Sequence, residues 1–470
     1  MHDMTGMASQ RTSLLSVIDL PPEWHKLPEK VQRLMGRYLN RTPVRFGEQW
    51  VVDSLTPPFP SPAFDRFVDR LVRNDRQDLF SVSLAVTNDC CCHCERCYNA
   101  GRRRNDLPLA VLQRLAGQFQ EFGAVLIALT GGEPLLRPDL ELICSSFDKR
   151  CCVVVNATGF GLTLPRALAL KEVGVFAVSI RLDSLDPATH DRLSGRPGAF
   201  EDAVEAIKVL HKAELYPYVM TMARPELVDP KQFFPFMEFA GAIGAMEVRF
   251  LDPIPVGGLS GKTDAVLSRD QLRRMLRNAR EVNGRDDLPL FTTSACQGKA
   301  LGCQAGLGHV YVDGSGELCP CNYIPCSFGN LGSPDTDALT DILDRMRQYF
   351  RKPRKKCAAA VLADYTPKDP VPTDPETSAS LCRAHLPMEH AVPLLYELCE
   401  QRRGGLAESP AFHDADGTYV PERRLRAGKK RKKKGTVIHP TRRSGATRLP
   451  RRAQPGADAA GFENDPRVDD

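Results

Sequence analysis

Residues 87–99 read TNDCCCHCERCYN and place five of the chain's 16 cysteines within one short stretch. Cys90, Cys94 and Cys97 have the spacing C-x3-C-x2-C. Three thiolates on one loop can each bind an iron of a 4Fe–4S cube and leave the fourth iron without a protein ligand. The same stretch also suits a zinc knuckle, through Cys91, His93 and the overlapping pairs Cys91/Cys94 and Cys94/Cys97. Cys91 and Cys92 blur the register, so the loop alone does not choose between iron and zinc.

Three further constellations bear on the choice. Residues 129–140, LTGGEPLLRPDL, carry two successive glycines that let the backbone approach a ligand closely and adopt conformations other residues avoid. Glu133 adds a charge suited to an ammonium group, although Gly-Gly-Glu-Pro by itself is an ordinary turn. In VFAVSIRLDS, residues 175–184, Val178, Ile180 and Leu182 fall on one face of a strand and Ser179, Arg181 and Asp183 on the other. A filled barrel would have apolar residues inside as well, so this polar face implies an occupied interior; a solvated edge strand is the plainer alternative. Glu247 and Arg249 repeat the alternation weakly, the DPIPVGG segment that follows adds a glycine turn, and Asn156 ends a strand in VVVNATG. The third constellation is a second group of five cysteines, Cys296 to Cys326. Within it VYVDGSGELCPC reads as a β-hairpin, because Asp-Gly-Ser-Gly between alternating apolar residues is strong turn chemistry.

The elements around these residues repeat. β-like runs at about 81–87, 124–129, 152–157, 175–183, 216–222 and 246–252 alternate with helical stripes such as Leu112, Leu115, Ala116 and Phe119, or Ala203, Ile207 and Leu210. Six β/α repeats predict an α/β fold with parallel strands and crossover helices, as an open six-stranded partial barrel or a doubly wound sheet. We expect an entry region over 1–80, in which the PPFPSP run is extended or looped, a barrel over 81–285 and a cysteine-rich module over 286–403. Cys144, Cys151, Cys152 and Cys399 read as small buried hydrophobes.

With the loop, the glycine turn and the polar strand in this order, the chain resembles the radical S-adenosylmethionine (radical SAM) superfamily, in particular members with a C-terminal SPASM or twitch extension. The resemblance implies a partial (β/α)6 TIM-like barrel. It implies a 4Fe–4S cluster on Cys90, Cys94 and Cys97 whose open iron binds S-adenosylmethionine, and reductive cleavage to a 5′-deoxyadenosyl radical that abstracts hydrogen from a substrate. It assigns the amino group of that cofactor to Gly131, Gly132 and Glu133, its ribose to Ser179 and Asp183, and its carboxylate to Arg181. One departure is Arg96, where the family often has an aromatic residue before the third cysteine; Tyr98 follows it. Cys303, Gly316 and Cys321 match the family's C-x(9–15)-G-x4-C signature, which implies an auxiliary 4Fe–4S cluster on Cys296, Cys303 and Cys321. Cys319, Cys326, Cys357 and Cys382 compete to be its fourth ligand, and the absence of the full SPASM pattern points to the shorter twitch type. Implied partners are an external electron donor such as flavodoxin or ferredoxin and either a peptide side chain or a small metabolite.

Composition sets the outer limits. The chain has 470 residues, 42% hydrophobic and 26% charged, as a globular enzyme would. Its start lacks a signal-peptide pattern and no run is long enough to span a membrane, so we expect a cytoplasmic protein. So many cysteines in a reducing compartment argue for metal or redox chemistry rather than disulfides. The net charge of +5 is uneven: between Arg423 and Arg452 there are 14 basic residues and no acid. We expect a disordered basic tail over 404–470. The rival reading is a non-catalytic zinc protein that binds nucleic acid non-specifically through this tail.

Overall fold

The structure is a computed structural model, and it describes residues 43–73, 79–100, 102, 105–293, 302–332, 338–366 and 372–387. The expected tail and Cys296 lie outside them. The entry region begins with a hairpin of β1 (Val44–Phe46) and β2 (Gln49–Val51). Prolines hold residues 57–61 out of helix, and Pro62 then starts α1 (Pro62–Arg73), at the first position where its missing N–H has no consequence.

The main sheet follows. Strands β3 (Ser81–Thr87), β4 (Leu126–Gly131), β5 (Cys152–Ala157), β6 (Val175–Arg181), β7 (Tyr216–Met222) and β8 (Glu247–Leu251) pair in chain order, all parallel. Helices α2 (Leu109–Glu121), α3 (Leu140–Cys144), α4 (Leu164–Glu172), α5 (Pro187–Ser194), α6 (Ala199–Lys212) and α7 (Pro230–Ala242) lie in the connections. The stripes expected on α2 and α6 are buried. The strand expected over 124–129 starts later, since Ala124 still hydrogen-bonds back to Phe119 in the turn that leaves α2.

From β3 to β8 the strand order follows the chain without reversing, so these six strands have no switch point of the doubly wound kind. Alternate residues such as Val82, Leu84, Ile127, Leu129, Val178, Ile180, Val248 and Phe250 form one apolar core with the helices. The opposite face is separate: Leu126, Cys152, Val154, Ala177, Tyr216 and Tyr218 pack with Val44 and Val51 of the hairpin and Ala63 of α1. The partial barrel is thus covered outside by helices, and the entry region packs against its inner face. Ser54 ties it there, donating from N and Oγ to the two carboxylate oxygens of Glu247 at 2.7 and 2.8 Å.

Beyond the sixth repeat the sheet continues. After α8 (Arg269–Val282), β9 (Leu290–Thr293) adds in parallel to β8. On the other edge β10 (His309–Val312) lies parallel to β3, and β11 (Leu318–Cys319) returns antiparallel as the expected hairpin. The main sheet therefore has nine strands among the described residues. Helices α9 (Leu339–Arg347), α10 (Ala358–Leu362) and α11 (Pro375–His385) complete the cysteine-rich module.

Candidate active site

The cysteine loop leaves the C-terminal end of β3 and is held down by close backbone contacts. Gly132 N donates to Thr87 O and Glu133 N to Asp89 O, both at 2.8 Å. A Cβ on Gly132 would stand 2.0 Å from Asp89 O, so only glycine lets the β4 turn lie against the loop. The glycine turn after β8 grips the other side: Gly258 N donates to Cys97 O at 3.0 Å, and a Cβ there would meet Glu95 O at 2.3 Å. The glycines found in sequence therefore fit the loop into place as well as leaving room beside it.

One cavity of about 410 Å³ opens at this end of the barrel. Cys90, Cys92, Cys94 and Cys97 line it, with Gly131, Gly132, Arg181, Asp183 and Asn156. The tightest sulfur group differs from the expected triplet, for Cys90, Cys91 and Cys92 have their Sγ atoms within 4.8 Å of one another. Hydrogen bonding to Cys92 and then burial raise the Cys94 thiol, and burial raises that of Cys97. A donor set made almost wholly of sulfur on a glycine-clamped loop fits a 4Fe–4S cluster.

The polar face of β6 points inward as its alternation requires, but its members do different things. Arg181 Nε donates to Asp183 Oδ2 at 2.5 Å, and Asp183 Oδ1 accepts from Thr221 Oγ1 at 3.0 Å. Burial opposes both charges, yet each partner's charge prevails, so Asp183 lies below and Arg181 above its ordinary pKa. Ser179 is wholly buried and donates to Asn156 Oδ1 at 2.8 Å, which leaves Asn156 rather than Ser179 on the cavity wall. Glu133 is turned inside as well. Its two oxygens accept from Leu135 N at 2.9 Å and Thr158 N at 2.6 Å, and burial pushes its carboxyl up.

Tyr98 lines the cavity and donates or accepts at Thr130 Oγ1, 3.0 Å away, with its ring edge-on to Tyr311 and Tyr323. Sequence reasoning missed Thr130, Met220, Leu251 and Tyr323 on the wall. For Met220 and Leu251 the inward register of β7 and β8 carried the signal; Tyr323 had none, because a loop after β11 delivers it.

In the second module, Cys303 and Arg354 exchange backbone hydrogen bonds at 2.8 and 3.1 Å. This pairing sets the Cys357 thiol against that of Cys303, which it lowers to about 6, with Cys321 close enough to act on both. Cys326 and Cys382 make a separate buried contact, and Cys319 sits with Ala85 and Tyr311 inside the sheet. Cys144, Cys151 and Cys152 are buried, as expected of small hydrophobes.

The family described as the Radical SAM superfamily matches residues 84–227, the stretch that holds the cysteine loop, the glycine turn and β6. Residues 84–227 form a radical SAM domain. A radical SAM enzyme uses a 4Fe–4S cluster and S-adenosylmethionine, and the non-catalytic zinc reading falls with this match. Among curated relatives, an AdoMet-dependent heme synthase of Nitratidesulfovibrio vulgaris is 26% identical over 57% of this chain and 80% of its own. A GTP 3′,8-cyclase of Xanthomonas axonopodis pv. citri is 27% identical over 51% and 71%. Of solved structures, Streptococcus suis SuiB bound to S-adenosylmethionine aligns at a TM-score of 0.48 and 15% identity, over 63% of this chain and 75% of that one. No helix among the described residues is long and apolar enough to cross a membrane.

Proposed function

We propose that this radical SAM enzyme carries its catalytic cluster on Cys90, Cys94 and Cys97 and binds S-adenosylmethionine across the mouth of the barrel, to modify a small metabolite. The observation that carries the reading is the single cavity that these thiols share with Arg181, Asp183 and the Gly131–Gly132 turn. When bound, the cluster and nucleotide supply the electron transfer and the hydrogen-abstracting radical. The protein's own work is orientation and exclusion of water. Arg181, held by Asp183, offers the remaining donors of its guanidinium to a carboxylate. Gly131 and Gly132 allow close approach of an ammonium group, whose charge the buried Glu133 favours from beneath. Asp183 offers an acceptor and Asn156 an amide N–H donor to hydroxyl groups, and Ser179 and Tyr218 orient Asn156 through its Oδ1.

The metabolite is preferred over a peptide because relatives matched over most of their length are named for heme and for GTP. A twitch-type auxiliary cluster on Cys303, Cys321 and Cys357, with Cys296 as the further candidate, is supported by the convergence of the first three thiols. A flavodoxin- or ferredoxin-like donor would supply electrons. The test is anaerobic reconstitution, followed by electron paramagnetic resonance of the reduced protein with and without S-adenosylmethionine, and assay of 5′-deoxyadenosine with dithionite. We expect the signal to change on adding the nucleotide and 5′-deoxyadenosine to form, and both to vanish in Cys94→Ala. Iron-loaded protein that behaves like Cys94→Ala would overturn the assignment.

A further inference from the structure

Among the described residues, Arg249 on the inner face of β8 has a buried Nε without a hydrogen-bond partner. On β8 the inward residues are Glu247, Arg249 and Leu251, while Val248 and Phe250 face the helices. Leu251 lines the cavity, and so does Met220, which stands beside Arg249 in the β7–β8 ladder. Arg249 therefore lies on the inner wall one pleat step below the cavity's edge. Its Nε is buried without a hydrogen-bond partner, and among the described residues no hydrogen bond or ion pair engages its guanidinium.

Other arginines in this part of the molecule each reach a carboxylate: Arg102 reaches Asp313, Arg181 reaches Asp183, and Arg224 reaches Glu226. Arg96 also has a buried nitrogen without a partner, but it lies between Cys94 and Cys97 on the cavity wall. The acids that act on Arg249 from a distance, Glu247 and Asp252, are engaged elsewhere. Glu247 accepts from Ser54 and from Thr292 Oγ1 at 2.5 Å, and Asp252 from Thr293 Oγ1 at 3.5 Å. His309, beside Arg249, is bound to Ser81 Oγ at 2.8 Å, and the buried phenols of Tyr218 and Tyr323 also face Arg249. A half-buried guanidinium on the inner wall, without a hydrogen-bonded acceptor for its Nε, is suited to a charge-assisted pair with an anion.

We infer that Arg249 is the anchor for an anionic group of the substrate, a carboxylate or a phosphate, gripped by the planar guanidinium inside the barrel. The anchor lies on the β7–β8 wall, away from the residues assigned to S-adenosylmethionine on β4 and β6. It deepens the function proposed above, since it names the chemical class that the site takes, and it rests on that reading for where the reaction occurs.

The test uses the anaerobically reconstituted enzyme with S-adenosylmethionine bound, and two probes measured separately by isothermal titration, pyrophosphate and tricarballylate. We expect the wild type to bind at least one probe. Stronger binding of pyrophosphate identifies a phosphate site, and of tricarballylate a carboxylate site. In Arg249→Gln the dissociation constant should rise about tenfold or more, as loss of a charge-assisted pair requires. Arg249→Met, which keeps the length of the side chain, is the second variant should the first lose its iron. Equal affinity in the wild type and in a variant with full iron content, or no binding of either probe by the wild type, would refute the anchor. The nucleotide-induced change in the paramagnetic signal, recorded on the same samples, reports on the cofactor reading separately: its absence in wild type condemns that reading whatever the anions do.

Discussion

Asp183 shows how one residue can serve the fold and the site together. It accepts from Arg181 and Thr221, its backbone N–H donates to His190 Nδ1 at 3.0 Å, and Arg224 donates to its carbonyl. Both members of the Arg181–Asp183 pair are mostly buried, so removing one leaves a charge without its partner. Asp183→Ala should lower unfolding stability by about 3–5 kcal/mol, measured by denaturant titration, alongside weaker nucleotide binding. Because Asp183 has a depressed folded pKa, its stabilisation is complete above the ordinary carboxylate value and fades as pH falls through the lower folded one. A loss below about 1 kcal/mol would mean that the pair is solvated and contributes little. At the same scale, Cys357→Ala should lower iron per chain by nearly one cluster while Cys382→Ala should not, and iron analysis of reconstituted protein distinguishes them.

At the level of elements, the join between β8 and the entry region is electrostatically unusual. Glu247 is fully buried, and burial, reinforced by Asp53, raises its carboxyl to about 7, while Thr292, Ser54 and Arg249 pull the other way. Tyr216 and Tyr218 also face it. The folded state therefore binds a proton more tightly than the unfolded chain, and stability should fall as pH rises from about 4.5 to 7, then level off, a change of about 3 kcal/mol. Glu247→Gln should flatten that slope, since the Ser54 and Thr292 hydroxyls can turn to accept from an amide; an unchanged slope would assign the titration to another group. The cysteine loop depends on a different pair of elements. Gly132→Ala would drive Asp89 away from the β4 turn, and we expect at most half the wild-type iron after reconstitution.

At the scale of the whole chain, the basic run from Arg423 to Arg452 lies outside the described residues, which end at 387. Deleting 407–470 should leave 5′-deoxyadenosine formation within about twofold, while the protein elutes from heparin at lower salt. A large loss of cleavage would mean that this segment takes part in the reaction. Much of the molecule was legible before folding was considered. The β-like runs and helical stripes predicted the parallel repeats because backbone periodicity is local: a strand shows its two faces every second residue wherever it sits. The C-x3-C-x2-C spacing and the Ser179/Arg181/Asp183 face were readable for the same reason. What side chains touch was not readable, since that depends on segments far away in sequence. Only the tertiary structure turned Glu133 inward onto Leu135 and Thr158, set Ser179 behind Asn156, and brought Cys357 to Cys303 through the pairing with Arg354. Only it carried β10 to the edge of β3 and the hairpin of the entry region onto the inner face of the barrel. Spacing along a chain determines which groups can share a face; packing between distant segments decides which of them meet.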